Sequence, residues 1–128
     1  MDKNKALYKL KGLPPIYCIN LDGKPDRWTY MEDQFKHWEI TNYKRISAYD
    51  GREDDLSDIL KGRYPDRMTS GEVGCTTSHL KALKEFLETD EPCALIMEDD
   101  CDLGPIQHWA FTWKEFAAKI PYCYDVVQ

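Results

Sequence analysis

Four carboxylates crowd into five positions directly after an apolar run. The run is "CALIM", residues 93–97, and the carboxylates are Glu98, Asp99, Asp100 and Asp102. Two carboxylates about 6 Å apart repel by roughly 2–3 kcal/mol at an effective dielectric constant of 20. A divalent cation removes that repulsion, and hard oxygen ligands suit Mg²⁺, Mn²⁺ or Ca²⁺. A solvated acidic turn is the alternative, and we favour metal binding because the cluster ends an apolar strand.

The spacing of this cluster adds a geometric argument. Glu98, Asp100 and Asp102 occupy alternate positions, so in an extended segment their side chains would point the same way. The three are therefore candidate metal ligands. The cluster is not an EF-hand, because it lacks that loop's D-x-D-x-D-G spacing and distal glutamate.

Two further loops carry polar groups after apolar runs. In "NLDGKPDRW", Arg27 near a helix N-terminus could hold a phosphate or pair with a carboxylate, while ordinary turn chemistry explains the same residues equally well. Asp50, before Gly51, could accept hydrogen bonds from a ribose or base, although a plain Asp-Gly turn is the more ordinary interpretation.

A strongly helical stretch holds the remaining candidates. Cys75 and His79 are four residues apart and share a helix face, which suggests a metal, but a hydrogen-bonded structural histidine is more usual. The sequence has no G-x-S-x-G elbow, P-loop or G-x-G-x-x-G, so nothing supports a serine hydrolase, a P-loop enzyme or a Rossmann dehydrogenase.

Alternating apolar and amphipathic segments must position these residues. They predict strands over 14–21, 43–51, 93–97 and 124–128, and helices over 26–38, 53–64, 68–92 and 108–120. This order predicts an α/β sandwich with a mainly parallel sheet. Ligands bind beyond the carboxyl ends of such strands, so the loops after the first three strands should meet.

The two clearest helices have predicted boundaries and buried faces. Pro25 is placed to open the first, and Thr69 with Glu72 fits a capping box at the start of the long one, which Pro92 would stop. The residues predicted to face the core are Tyr30 or Met31, Phe35 and Trp38 in the first helix, and Val73, Leu80, Leu83 and Leu87 in the long one.

The bulk composition narrows the class of protein. With 128 residues, 42% of them hydrophobic, we expect one domain over 1–128. A net charge of −6 argues against nucleic-acid binding. Five scattered cysteines without a C-x-x-C pair argue against a disulfide scaffold or zinc module and predict a cytoplasmic location, with action at a membrane surface left open. We expect neither a signal peptide nor a transmembrane segment.

Four stretches in this order, "IYCINLDGKPDRW", "RISAYDG", "MTSGEVGCTTSHLKAL" and "ALIMEDDCDL", together resemble glycosyltransferase family 25. These are the lipopolysaccharide-type and collagen-type galactosyltransferases, and the similarity runs from about Ile16 to the end of the chain. The resemblance implies a GT-A-like nucleotide-binding fold and metal-dependent transfer of a hexose to a glycan or other hydroxyl acceptor, with inversion. Galactose from UDP-galactose is the family expectation, although glucose or another hexose would fit these residues equally well.

The resemblance also implies roles for individual residues. The acidic motif would hold Mn²⁺ or Mg²⁺ against the donor diphosphate, through Glu98, Asp100 and Asp102, with the two aspartates favoured. The matching motifs imply donor binding by Asn20, Asp22, Arg27, Tyr49, Asp50, Ser78, His79 and Asp99.

Family domains are usually longer than this chain, so we expect the acceptor part and the inverting general base to lie outside it. A short sheet with an unpaired edge could form a homodimer. One alternative is a truncated, non-catalytic domain that binds a nucleotide-sugar or a partner. A weaker alternative is a structural Ca²⁺-binding domain.

Overall fold

Three short parallel strands form the sheet of the computed structural model, which describes residues 7–61 and 67–128. They are β1 (Ile16–Asn20), β2 (Tyr43–Ser47) and β3 (Leu95–Glu98), in the order β2-β1-β3. Ile16 is in register with Tyr43 on one side and with Leu95 on the other. The predicted α/β class with a parallel sheet is confirmed.

Two helices cover the opposite faces of this sheet: α1 (Pro25–His37) and α2 (Ser70–Leu87). A third, α3 (Trp113–Lys119), follows a 3₁₀ turn at Gly104–His108, and another 3₁₀ turn spans Tyr8–Leu10. Every residue of β1 is buried, as expected for a central strand between two layers. Alternate side chains of β1 therefore define two separate halves of the core.

The α1 half of the core follows the predicted helical spacing. Ile16 and Cys18 of β1 pack with Met31 and Phe35, and burying each large apolar side chain contributes about 1.5–3 kcal/mol. Met31, not Tyr30, takes the buried position, since Tyr30 is 45% exposed. Pro25 occupies the first turn of α1 as predicted, where its missing N–H costs no helical hydrogen bond.

The predicted core face of α2 is wrong. The buried residues of this helix are small: Gly74, Thr77, Ser78 and Ala82. Three of the four residues assigned to the core stripe face outward instead, namely Leu80, Leu83 and Leu87, which are 55%, 40% and 77% exposed. The start of α2 packs backbone to backbone against the loop after β2, and that close approach admits only small side chains. The predicted capping box of Thr69 and Glu72 is present, but α2 ends at Leu87, before Pro92.

The helix predicted over 53–64 is also wrong within the part that the structure describes. Residues 53–61 form turns, and residues 62–64 lie outside the described ranges. Aspartate side chains compete with helical hydrogen bonds here: Asp54 Oδ2 accepts from the Asp50 N–H over 2.6 Å, and Asp55 Oδ1 from the Ser57 N–H over 3.0 Å. Leu56 is still buried, so the apolar pattern marked burial without a helix.

Two predictions near the end of the chain need correction. The helix predicted over 108–120 begins at Trp113, because Thr112 and Glu115 form a capping box that fixes its N-terminus. The strand predicted over 124–128 is absent: these residues are exposed and irregular after a turn in which the Tyr124 N–H donates to the Pro121 carbonyl. A β-branched pair becomes a strand only where a sheet edge pairs with it, and here none does.

Among the residues that the structure describes, no helix combines the length and apolar character needed to cross a membrane.

Candidate functional site

The carboxyl ends of the strands and the first turns of α2 enclose a cleft of about 230 Å³. The segment after β1, the loop after β2 and the end of β3 all contribute to its wall, as the parallel topology predicts. Its polar lining side chains are those of Lys24, Arg27, Tyr49, Asp50, Arg52, Cys75, Ser78, His79, Glu98 and Asp99. Six of the predicted donor-binding residues are among them: Arg27, Tyr49, Asp50, Ser78, His79 and Asp99.

A buried amide joins β1 to the acidic segment. Asn20, the last residue of β1, is 1% exposed and Asp99 is 6% exposed. Asn20 Nδ2 donates to Asp99 Oδ2 over 2.6 Å and to the Lys24 carbonyl over 3.0 Å, while Asn20 Oδ1 accepts from Arg45 Nε over 2.8 Å. Both polar atoms of this side chain are therefore engaged, and Asn20 fixes the segments that follow β1 and β3.

Arg27, in the first turn of α1, partly neutralises the acidic segment. Its Nη2 lies 3.0 Å from Asp99 Oδ1 and 3.0 Å from Asp100 Oδ2. The guanidinium therefore offsets part of the repulsion between the carboxylates of this segment, without a metal. Its side chain remains 44% exposed at the cleft, so it can also meet an anionic ligand.

Asp22 forms a second ion pair at the same end of the sheet. Its Oδ1 accepts from Arg45 Nη2 over 2.7 Å, and its Oδ2 from the Ser47 hydroxyl over 2.9 Å. The hydrogen bonds from Arg45 and Ser47 lower the pKa of Asp22. Asp22 thus stays ionised on the surface beside the cleft.

The loop after β2 is fastened to α2. Ser78 Oγ accepts from the Tyr49 N–H over 2.9 Å and donates to the Gly74 carbonyl over 2.6 Å. A side chain at either glycine of this contact would clash with backbone: a Cβ on Gly51 would lie 1.8 Å from Ser70 O, and one on Gly74 would lie 2.6 Å from Gly51 N. Ser78 is 1% exposed, and its hydroxyl positions the loop.

Asp50 uses its carboxylate locally, since its Oδ1 accepts from the Arg52 N–H over 3.0 Å in an Asx-type turn. Lys81 supports the same loop from α2: its Nζ donates to the Ser47 carbonyl over 2.8 Å and lies 5.0 Å from the centre of the Tyr49 ring. The tyrosine ring is therefore oriented by a cation–π contact at the cleft wall.

Three dissimilar ligand groups meet on the other wall of the cleft. Glu98 Oε1 lies 3.1 Å from His79 Nε2 and 3.5 Å from Cys75 Sγ. One ligand atom from each of the three residues falls within 4.8 Å of the others. Burial, together with the carboxylates of Glu98 and Asp100, raises the pKa of the Cys75 thiol.

The acidic segment is not extended beyond Glu98, where β3 ends. Asp99 and Asp100 form a turn, in which the Cys101 N–H donates to the Glu98 carbonyl over 3.3 Å. Asp102 Oδ1 accepts from the Gly104 N–H over 2.8 Å in an Asx-type turn, away from the cleft. The alternation argument for Glu98, Asp100 and Asp102 therefore does not describe this backbone, and their metal-binding roles stay a prediction.

Hard oxygen donors remain available for Mn²⁺ or Mg²⁺ at Glu98, which lines the cleft, and at Asp100, which contacts the cleft residue Arg27. Asp100 is an exposed carboxylate held at one oxygen by Arg27, and Glu98 uses Oε1 for its two neighbours. Within 7–61 and 67–128, no hydrogen bond or ion pair engages the second oxygen of either carboxylate. The donor set thus fits a hard cation at Glu98 and Asp100, whereas Asp102 lies away from the cleft.

Sequence reasoning missed Arg45, which links Asn20 to Asp22. The sequence signal that could have found it is the pair Arg45 and Ser47. These two polar residues occupy alternate positions of a short strand, near the carboxyl end where a ligand is expected to bind. It also missed the packing of Gly51 on Gly74, which no local pattern encodes because the two belong to separate segments.

The family model for glycosyltransferase family 25 (LPS biosynthesis protein) matches residues 13–118. The chain belongs to glycosyltransferase family 25. All three strands and the whole cleft of this family 25 chain fall within the matched range. The resemblance seen in the four sequence stretches is confirmed.

Relatives of this family 25 chain carry names that agree with the family. It is 30% identical over 110 residues to a putative glycosyltransferase of Acanthamoeba polyphaga mimivirus, covering 82% of this chain and 32% of that protein. It is 33% identical to a glycosyltransferase 25 family member of Aedes aegypti, covering 73% and 17%. It is 30% identical to procollagen galactosyltransferase 2 of Homo sapiens, covering 70% and 16%. The chain thus spans about a third of the viral relative's length and less of the others. No solved structure gives a significant match.

Proposed function

We propose that this chain forms the donor-binding part of a metal-dependent glycosyltransferase that moves a hexose from a UDP-sugar to a hydroxyl acceptor. The observation that carries the proposal is the convergence of three loops, from β1, β2 and β3, on one polar cleft in a family 25 chain. The printed name of the human relative, procollagen galactosyltransferase 2, makes galactose the first sugar to test.

Arg27 and Lys24 supply positive charge at the cleft, beside the start of α1. A diphosphate placed there would meet the guanidinium and the free N–H groups of the helix N-terminus. Tyr49 and Asp50, on the fastened loop after β2, would then line the nucleoside end of the donor. Asn20 and Asp22 act through Arg45 and Asp99, so we assign them positioning roles.

Glu98 and Asp100 are the residues that we propose as ligands for Mn²⁺ or Mg²⁺, with Asp102 tested separately because it lies away from the cleft. A bound cation would stabilise the negative charge that develops on the departing diphosphate. In the transfer, the bond between the anomeric carbon and UDP breaks as the acceptor oxygen bonds to that carbon from the opposite face. The acceptor proton goes to a general base that we do not place among the described residues.

Calorimetric titration of UDP, with and without Mn²⁺, tests this proposal. We expect Mn²⁺-dependent binding that Asp100→Asn reduces and that Asp102→Asn, which alters only an Asx-type turn, reduces less. Loss of Mn²⁺-dependent UDP binding in Asp102→Asn alone would mean that the metal binds at the Asp102 end of the acidic segment. Absence of UDP binding under every condition would overturn the proposal.

A second assay separates catalysis from binding. Release of UDP from UDP-galactose in the presence of a hydroxyl acceptor is expected if this chain suffices for transfer. Mn²⁺-dependent binding without release would instead support the non-catalytic donor-binding alternative.

We also propose association through the sheet, since both β2 and β3 are edge strands within the described residues. Light scattering across a concentration series checks whether a homodimer forms, and a monomer at all concentrations would contradict it.

A further inference from the structure

We propose that Cys75, His79 and Glu98 form a binding site for a borderline-soft divalent cation such as Zn²⁺. This site is distinct in chemistry from the hard-metal site proposed above, and it does not depend on UDP binding. It combines a thiol, an imidazole and a carboxylate, the three side-chain types that zinc takes in proteins.

The distances favour a shared ion. With zinc bonds of about 2.0–2.3 Å, ligand atoms at neighbouring corners of a tetrahedron lie about 3.3–3.8 Å apart. In the structure, Glu98 Oε1 lies 3.1 Å from His79 Nε2 and 3.5 Å from Cys75 Sγ, and all three ligand atoms lie within 4.8 Å of one another. Small side-chain adjustments would therefore suffice for coordination.

The backbone holds these groups in place before any ion arrives. Cys75 and His79 are one helical turn apart on α2, whose start is fixed by a capping box and by the buried Ser78. Glu98 is the last residue of β3, and its carboxylate contacts both of the α2 side chains. Two rigid secondary-structure elements thus hold the three side chains together, and this favours a binding site over a chance cluster on the surface.

The site is accessible, and it supplies three protein ligands. His79 and Glu98 keep side-chain exposures of 39% and 47%, and all three residues line the cleft. Three ligands leave the fourth position of a tetrahedral ion for water or a cleft ligand. Because Glu98 belongs to both proposed sites, Zn²⁺ held here would compete with Mn²⁺ for that carboxylate.

Titration with Co²⁺, a spectroscopic substitute for Zn²⁺, tests the site directly. We expect a thiolate-to-cobalt charge-transfer band that Zn²⁺ abolishes by displacement. Cys75→Ser should eliminate the band, and His79→Gln or Glu98→Gln should weaken Co²⁺ binding on the order of tenfold or more, since even changes outside the ligand shell cost 10–100-fold. The matched controls Cys123→Ser and His37→Gln should leave both the band and the Co²⁺ affinity unchanged.

A measurement on the unaltered chain guards against variants that fail to fold. Zn²⁺ should slow alkylation of Cys75 by iodoacetamide, while the exposed Cys123 reacts at the same rate with and without the ion. A cobalt band that persists in Cys75→Ser, the absence of any band, or equal alkylation of Cys75 with and without Zn²⁺ would overturn the proposal. UDP appears in neither assay, so failure here is separate from failure of the proposed function.

Discussion

Asn20, the last residue of β1, and Asp99, in the turn that follows β3, share a buried hydrogen bond of 2.6 Å beside the cleft. Asp99 in turn contacts Arg27, and Asn20 contacts Arg45. The Asn20 amide therefore connects Arg45 with the acidic segment that Arg27 contacts.

Replacing Asn20 by alanine should destabilise the fold. Asn20→Ala leaves Asp99 buried without its amide partner, and an unsatisfied buried group costs about 1–3 kcal/mol. Chemical denaturation would measure the loss in the free energy of unfolding. Asn42→Ala, which removes an exposed amide, serves as the control and should change stability little. Equal stability of both variants would show that Asp99 finds another partner.

The contact between α2 and the loop after β2 predicts opposite effects for two glycines of one helix. Gly74→Ala places a methyl group 2.6 Å from Gly51 N, and such overpacking costs about 1–3 kcal/mol. Gly71→Ala meets only Thr69 Oγ1 at 3.9 Å, so it should be neutral or stabilising, because alanine favours helix by about 0.5–1 kcal/mol. Thermal unfolding of the two variants checks the sign. A raised melting temperature for Gly74→Ala would mean that the loop after β2 shifts to accommodate the methyl group.

The capping box at the start of α2 predicts a pH dependence. The hydrogen bonds that Glu72 accepts from the Thr69 N–H and hydroxyl lower the pKa of its carboxyl. Because the folded-state pKa lies below the unfolded one, this contribution is present above about pH 4.3, the ordinary glutamate pKa, and is lost as pH falls through the folded value.

Glu72→Gln keeps an acceptor but removes the charge, so it isolates this effect. It should be less stable than the unaltered chain at pH 7, and the gap should close in acid. Denaturation at both pH values measures it, with Glu32→Gln on exposed α1 surface as the control. A gap that stays constant with pH would contradict the assignment.

Arg27 predicts a ligand effect that rests on the proposed donor site. Arg27→Ala removes the guanidinium from the cleft, and a hydrogen bond to a charged group is worth about 1.5–3 kcal/mol, so UDP should bind roughly tenfold more weakly or worse. Lys36→Ala, at the far end of α1, is the matched control. Calorimetry gives the affinities, and unchanged UDP binding in Arg27→Ala would remove this residue from the donor site.

Much of the fold follows from local sequence signals. Apolar runs predicted β1 and β3, a mixed polar and apolar segment predicted β2, Pro25 predicted the start of α1, and the Thr69–Glu72 pair predicted the start of α2. The errors arose where tertiary contact overrides a local pattern. The leucines of α2 look like a core stripe, but the loop at Gly51 occupies the face that packs, and only small residues fit beneath it.

The candidate site was likewise predictable in part. Parallel topology alone predicts that the loops after the strands meet, and they do. Side-chain partners do not follow from topology: the turn at Asp99 and Asp100 carries Asp102 away from the cleft, while Cys75 and His79, weak evidence as a pair, gain Glu98 from another element.

The attachment of the Tyr49–Gly51 loop to α2 has a consequence for affinity. A loop that is free before binding loses conformational entropy when a ligand orders it, and that loss subtracts from the binding free energy. Here the Ser78 hydroxyl and the glycine contact have already restricted the backbone during folding. A ligand that enters the cleft therefore loses no binding free energy to ordering this loop, because the loop was ordered when the chain folded. The conformational entropy that is still lost on binding comes from the ligand's own torsions and from the exposed side chains on the opposite wall.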